Sequence, residues 1–231
     1  MTTINSSSAN SVAVITIDGS GGVGKGTVCL RVAQNLGWHI LDSGSLYRLT
    51  ALKTSRDADI NDISQVVDSA INLDVDYRPG DDELQVLLEG EDVTNLIRTE
   101  QIGALASKIA AEPAVREALL LRQKAFAVDP GLVADGRDMG TVIFPEAKLK
   151  IFLTADTKER AKRRYKQLID KGLSANLPDL IAELEARDER DTKRSVSPLC
   201  AADDAVIIDT THIGIEQVVD KVMSLVEERF K

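Results

Sequence analysis

Val12-Ala13-Val14-Ile15-Thr16-Ile17-Asp18-Gly19-Ser20-Gly21-Gly22-Val23-Gly24-Lys25-Gly26-Thr27 decides the fold. Its first six residues are apolar and mostly β-branched, the composition of a buried strand. Beyond Thr27, Val28, Val32 and Leu36 recur at i, i+4 and i+8, with Cys29 and Ala33 beside them. The order is strand, glycine-rich loop, amphipathic helix. Gly19, four residues, then Gly24 and Lys25 is the spacing of a phosphate-binding loop, or P-loop. The glycines let successive backbone N–H groups point into one concavity. The helix that starts there adds its positive dipole end. Lys25 adds a mobile full charge for the outer phosphates. Gly19, Ser20, Gly21, Gly22, Val23, Gly24, Lys25, Gly26 and Thr27 are therefore candidate polyphosphate-binding residues. Glycine-rich turns also join strands to helices with no ligand, but four glycines ahead of a Lys in this place argue against that. The pattern departs from the usual motif at one point: Gly26 stands between Lys25 and the hydroxyl residue Thr27.

The remaining composition narrows the class. A chain of 231 residues, 43% hydrophobic, can bury one sizeable α/β core, with room for a small insert. The net charge of -9 argues against a nucleic-acid surface. That charge is uneven. Residues 57–92 hold twelve acidic side chains and one basic one, Arg78, whereas residues 156–194 hold eleven basic and nine acidic. The basic groups gather where an anionic ligand would be clamped. Cys29 and Cys200 are far apart in sequence, and the apolar neighbours of Cys29 point to a buried free thiol rather than a disulfide. No apolar run approaches the ~20 residues of a membrane span. The tail at 1–11 is Ser/Asn-rich and lacks the apolar core of a signal peptide. The expectation is a cytoplasmic protein with no membrane partner. No evident apolar patch calls for an oligomer, so a monomer is expected.

Taken in order, the chain alternates strand and helix. Trp38-His39-Ile40-Leu41 reads as a second strand, broken by Asp42-Ser43-Gly44-Ser45, with a helix from Leu46. Polar side chains at a strand's carboxyl end, beside a helix start, are where α/β sheets place ligands. Residues 57–98 change character, with alternation in Leu73-Asp74-Val75-Asp76-Tyr77, a turn at Arg78-Pro79-Gly80-Asp81-Asp82, a strand over 83–88 and a turn at Glu89-Gly90-Glu91-Asp92. They read as a small antiparallel insert, whose acidic residues suit a solvated hairpin better than a metal site. Helices are expected over 99–111 and 113–127, with Pro113 at a first helical position. Spacing alone leaves Ser107 and Arg116 there as surface residues.

A third strand, Leu132-Val133-Ala134, runs into Asp135-Gly136-Arg137-Asp138-Met139-Gly140. An Asp at that edge can orient magnesium or its waters, and an Arg can hold a phosphate bidentately; a tight turn with a surface ion pair is the plainer alternative. Strands over 148–154 and 205–209 follow, with a basic helix at 156–170, a loop at 171–177, a helix at 178–194 and a last helix at 215–230. The fold expected is α/β: a three-layer P-loop fold with five parallel strands flanked by helices, a small antiparallel β insert and a helical lid. After the tail, residues 12–231 form one domain, with the insert at 57–98 and the lid and its flanking helices at 160–194.

These motifs together resemble the bacterial cytidylate kinases, of the nucleoside-monophosphate kinase group. The matching stretches are the loop through Gly-Lys-Gly-Thr, a form typical of small nucleotide kinases, Leu41-Asp42-Ser43-Gly44-Ser45-Leu46-Tyr47-Arg48, Leu88-Glu89-Gly90-Glu91-Asp92-Val93, Ala134-Asp135-Gly136-Arg137-Asp138-Met139-Gly140-Thr141 and Arg187-Asp188-Glu189-Arg190-Asp191. The resemblance implies transfer of the ATP γ-phosphate to CMP or dCMP with Mg2+, and it implies roles that spacing could not supply. Ser107, Arg116 and Asp138 match positions that read the cytosine. Asp191 and Arg194 match positions at the ribose. Arg48, Arg137 and Arg187 match holders of the acceptor phosphate, with Ser43 and Tyr47 lining that pocket, and the insert lies on this acceptor side. Arg163 or Arg164 matches a lid arginine near the ATP. Lys25, Arg137, Arg187 and Asp138 are the catalytic candidates, and Thr27 with Asp135 the candidates for the metal's outer shell. The family usually has Pro then Ser where Ser20 and Gly21 stand; losing a Pro loosens the loop but removes no N–H donor.

A phosphate monoester acceptor is already ionised near neutral pH and needs no general base, in keeping with a chain whose histidines are His39 and His212. Two other classes fit less well. A GTP-dependent switch would need an Asn-Lys-x-Asp segment, which does not occur. A motor-type ATPase would want Asp-Glu at the end of an apolar strand, where Asp135 is followed by Gly136.

Overall fold

The computed structural model describes residues 12–79, 84–170, 172 and 174–230. The expected tail at 1–11, Gly80, Asp81 and Asp82 of the expected turn, Glu83 of the expected strand, Lys171 and Leu173 of the loop, and Lys231 lie outside them. The first half runs β1 (Val14–Gly19), α1 (Lys25–Leu36), β2 (His39–Asp42), α2 (Ser43–Asp57), α3 (Ile63–Ile71), β3 (Val75–Pro79), β4 (Leu84–Leu88), β5 (Glu91–Asp92), α4 (Glu100–Ile109) and α5 (Pro113–Lys124). The second runs β6 (Leu132–Gly136), β7 (Leu149–Thr154), α6 (Thr157–Asp170), α7 (Leu177–Lys193), β8 (Val206–Asp209) and α8 (Ile215–Arg229).

β1 is buried along its whole length, as befits a strand at the centre of a parallel sheet covered on both faces. It pairs with β6 on one side and β7 on the other; β2 extends the sheet beyond β6 and β8 beyond β7, all parallel. Side chains alternate across the sheet. Ile15 and Ile17 join Val28, Val32, Val218 and Val222 in a core under α1 and α8. Val14 faces the other way, into a larger core with Leu41, Leu46, Leu119 and Leu132 under α2 and α5. The expected five-stranded parallel sheet is thus present, and β1 reaches two residues further than the apolar run, through Asp18 and Gly19.

Local rules account for the element ends. α1 closes on Gly37 at φ 65, whose N–H reaches the carbonyls of Ala33 and Gln34, a left-handed glycine cap. α2 starts at Ser43, earlier than the expected Leu46, because the Asp42 side chain accepts from the Ser45 N–H. Residues 57–98 hold more than a hairpin. α3 lies within them, capped by Asp62, and its Ile63, Val66, Val67 and Ala70 keep helical spacing. The acidic residues on either side of it, Asp57, Asp59, Asp62, Asp74 and Asp76, hide that short period from a reading by composition. The second sheet, β3-β4-β5, is antiparallel. Glu91 and Asp92, expected in a turn, form its third strand; the turn itself is Glu89-Gly90, both at positive φ, the twist that favours a two-residue hairpin.

Gly19 joins β1 to the loop at φ +144, and a Cβ there would stand 2.2 Å from the Leu153 carbonyl oxygen. That oxygen belongs to the neighbouring strand β7 and cannot give way. Gly19→Ala is expected to destabilise the chain by at least about 2 kcal/mol, read as a lower urea midpoint at unchanged slope.

Candidate active site

Parallel register brings three chain segments to one edge. Asp135 lies opposite Ile17 on β1 and opposite Asp42 on β2. The glycine-rich loop, the Asp42-Ser43 helix start and the residues after Asp135 therefore leave the sheet together, at its carboxyl edge.

The loop is shaped by Gly22 and Gly24, at φ 80 and φ 97. Lys25 is buried, and its Nζ donates to the carbonyls of Gly19 and Ser20, both at 2.9 Å. Asp135 stands 3.9 Å from that Nζ. Burial pushes the Lys25 ammonium down, with Arg137 adding to the effect, and pushes the Asp135 carboxyl up against the pull of Lys25. Gly26, Thr27, Asp42 and Asp135 line one cavity of about 1060 Å3. Among the described residues no three His, Cys, Asp or Glu side chains converge as a metal cage. One hydroxyl and a carboxylate suit instead an ion held mainly by water and by a substrate's phosphates.

The opposite wall is built of guanidinium groups. A Cβ on Gly21 would lie 3.5 Å from Arg137 Nη2 and 3.8 Å from Arg187 Nη1, so both arginines stand against the loop. Arg137 Nε donates to Asp191 Oδ2 at 2.9 Å. Burial raises the Asp191 carboxyl, but Arg137, Arg187 and Arg194 together outweigh it and hold it below its ordinary value. Burial, with Arg137 and Arg48 close by, lowers Arg187 to about 10. Arg48, from α2, donates to the Ile97 carbonyl at 2.5 Å and is also lowered by burial. Ser43 Oγ donates to Gln123 Oε1 at 2.7 Å.

Deeper in the same wall, Arg116 and Asp138 form a buried ion pair. Arg116 also donates to the Ala110 carbonyl at 3.2 Å and lies over the Tyr47 ring, 5.8 Å from its centroid. Spacing left Arg116 at the surface; the structure buries it, because α5 turns this face toward Asp138, in the segment that follows β6. Ser107 is half-buried with its hydroxyl turned inward. Tyr47 Oη, Ser107 Oγ, Arg187 Nε, and Arg194 Nε and Nη2 are buried without a hydrogen-bond partner. Buried polar atoms are rarely left so.

The helix α6 divides its arginines. Arg163 donates to the carbonyls of Thr210 and Thr211, and Thr210 Oγ1 in turn donates to the loop carbonyl of Val23 at 3.2 Å. Arg164 reaches across the cleft to Glu100, at 2.7 Å. On α6 the arginine that bonds the loop is Arg160, which donates to the Gly21 carbonyl at 3.0 Å and to Asp188 Oδ2 at 2.5 Å. Sequence reading missed Arg160 and Gln123 as site residues. Arg160 was one basic residue among several on its helix, and Gln123 carried no signal at all.

The sheet, the loop and the arginine wall define a P-loop phosphotransferase of the α/β class. A family model described as cytidylate kinase matches residues 15–228. A cytidylate kinase of Aeromonas salmonicida (strain A449) is 52% identical over 217 residues, spanning 94% of each chain. One of Azotobacter vinelandii is 54% identical over 219 residues, spanning 94% of this chain and 96% of its own. A gluconokinase structure from Sinorhizobium meliloti 1021 aligns over 94% of this chain and 92% of its own, at 12% identity and TM-score 0.47, a likeness too slight to add to the assignment. The chain belongs to the cytidylate kinase family.

Removing one partner of a buried pair strands the other charge. Arg116→Ala is expected to cost about 3 kcal/mol in urea unfolding, and the double variant Arg116→Met, Asp138→Leu to recover most of that loss. Equal destabilisation of the single and double variants would contradict the pairing.

Proposed function

We propose that this chain transfers the γ-phosphate of ATP to CMP or dCMP, giving ADP and CDP or dCDP, with Mg2+ accompanying the ATP. Family membership supports the reaction class. The single observation that carries the acceptor side is that the buried polar atoms without partners, which also include atoms of Thr16, Thr141 and Asp188, fall on Tyr47, Ser107, Arg187 and Arg194. Those four are residues that a nucleoside monophosphate would satisfy, and of them Arg187 stands against the loop at Gly21.

In this reading the backbone N–H groups from Gly19 to Thr27 and the Lys25 ammonium hold the β- and γ-phosphates of ATP. Lys25 need only exchange the carbonyls of Gly19 and Ser20 for phosphate oxygens. Thr27 and Asp135 would hold the magnesium ion or its waters; when bound, the ion neutralises charge on the β- and γ-phosphates. Arg160, Arg163 and Arg164 belong to the lid, and Arg160 is the one already at the loop.

Arg48, Arg137 and Arg187 hold the acceptor phosphate, with Ser43 and Tyr47 beside them. Asp191 and Arg194 take the ribose. Ser107, Arg116 and Asp138 read the base. Cytosine presents an exocyclic amino group, which a carboxylate accepts; uracil presents a carbonyl oxygen there, and Asp138 would face it as acceptor against acceptor. The acceptor phosphate arrives ionised, so no residue must remove a proton. Catalysis is then positioning plus charge stabilisation. Arg137 and Arg187 flank Gly21 and so neutralise charge on the group in flight. Closure of the lid keeps water from taking the phosphoryl group.

A coupled assay with ATP and CMP, dCMP, UMP, AMP or shikimate tests the assignment. CMP and dCMP should lead, with UMP slower by at least about tenfold; preference for any other acceptor would sink it. Arg137→Ala should lower kcat by about a thousandfold or more in a chain that still folds, and near-normal turnover in that variant would refute its role.

A further inference from the structure

Asp18 has no part in the chemistry described so far. It precedes the first loop glycine and is 4% exposed. As a neighbour of Ile17 on β1, it leaves the sheet on the opposite face, toward the residues that follow β6. Its Oδ1 accepts from the Met139 N–H and its Oδ2 from the Gly140 N–H, each at 2.8 Å. Those amides open the π-helical turn Met139–Ile143, which has no side-chain cap of its own from Asp138. A carboxylate from elsewhere in the chain thus satisfies two donors that directly follow Arg137 and Asp138.

We propose that Asp18 is a positioning residue for the transfer, setting Arg137 and Asp138 in register with the phosphate loop. The inference rests on the reading of the chain as a CMP kinase. Asp18 is continuous with the loop through Gly19, so one side chain is bound at one end to the donor loop and at the other to the acceptor wall. Both oxygens are used, and no neutral side chain of this size offers two acceptors to two amides. The backbone it holds is pressed close. A Cβ on Gly140 would stand 2.8 Å from Thr16 Oγ1, and one on Gly136 would stand 2.6 Å from Met139 Cγ. In-line transfer needs reacting atoms about 3–3.5 Å apart, and a misplacement of about 1 Å can cost about a hundredfold in rate. Burial raises the Asp18 carboxyl to about 6, and the two amides oppose that rise.

A residue that merely stabilised the fold would lower the folded fraction and leave the KM for CMP alone. Asp18→Asn keeps the shape but turns an amide N–H toward one of the two donors, and Asp18→Ser removes the fork without that clash. In each, the KM for CMP should rise and kcat/KM for CMP should fall by about a hundredfold, while calorimetric ATP affinity stays within about threefold of wild type. An unchanged KM for CMP, or an equal loss of ATP affinity, would overturn the inference. If neither variant folds, hydrogen exchange on the wild-type chain decides: Met139 and Gly140 amides protected as strongly as those of β1 support the link, and exchange at the rate of exposed loops overturns it. A wild-type chain inactive on CMP overturns the functional reading and this inference with it. An active wild type with unaffected variants overturns this inference alone.

Discussion

β6 is hydrogen-bonded on both sides, with Asp135 opposite Ile17 of β1 and opposite Asp42 of β2. Everything the cleft contains depends on that double ladder. A parallel sheet sends all its strands out at one edge, so three segments far apart in sequence begin there within a few residues of the same height. Had β6 slipped by one residue, its side chains would have exchanged faces. Asp135 would then point away from Lys25, and Arg137 away from the loop.

The ladder brings like charges together, and the cleft is built to tolerate them. Lys25, Arg48, Arg137 and Arg187 share a region where burial lowers Lys25, Arg48 and Arg187. Buried charge is costly unless paired and hydrogen-bonded. Asp191 takes Arg137, main-chain carbonyls take Arg48 and Lys25, and Asp138 takes Arg116. Few of these partners are strong enough to keep an arginine from a phosphate dianion, whose two charges and oxygen acceptors match guanidinium geometry better than a lone carbonyl does. α6 is held by similar means: Arg160 bonds the Gly21 carbonyl and Asp188, which keeps its charge at the loop.

Legibility in the sequence followed the range of the interactions. The loop was readable because its geometry is local, a matter of glycines at set spacing between an apolar run and an amphipathic one. The parallel sheet was readable from alternating elements, and β1 differs by two residues at each end: it starts at Val14 rather than Val12, and Asp18 and Gly19 continue it without apolar side chains. α3 was missed because its nine residues sit between acidic stretches whose composition dominates the segment. Arg116 and Ser107 looked like surface residues, since a helix's own spacing does not say which neighbour covers which face. Arg160 was indistinguishable from Arg163 and Arg164 on one basic helix. Only the angle at which α6 approaches the loop separates them.

By itself the sequence determined that a glycine-rich phosphate loop leads into α1, that the sheet is parallel and that basic side chains gather over 156–194. Those follow from composition, periodicity and spacing, which act over one or two turns of chain. The tertiary structure alone decided which charges pair. Arg137 meets Asp191, Arg116 meets Asp138, and Asp18 meets the amides of Met139 and Gly140. Each partnership spans more than twenty residues and exists because sheet register and helix packing place two buried polar groups at bonding distance. No local pattern encodes that distance, and the cost of burying either group alone is what makes the pairing specific.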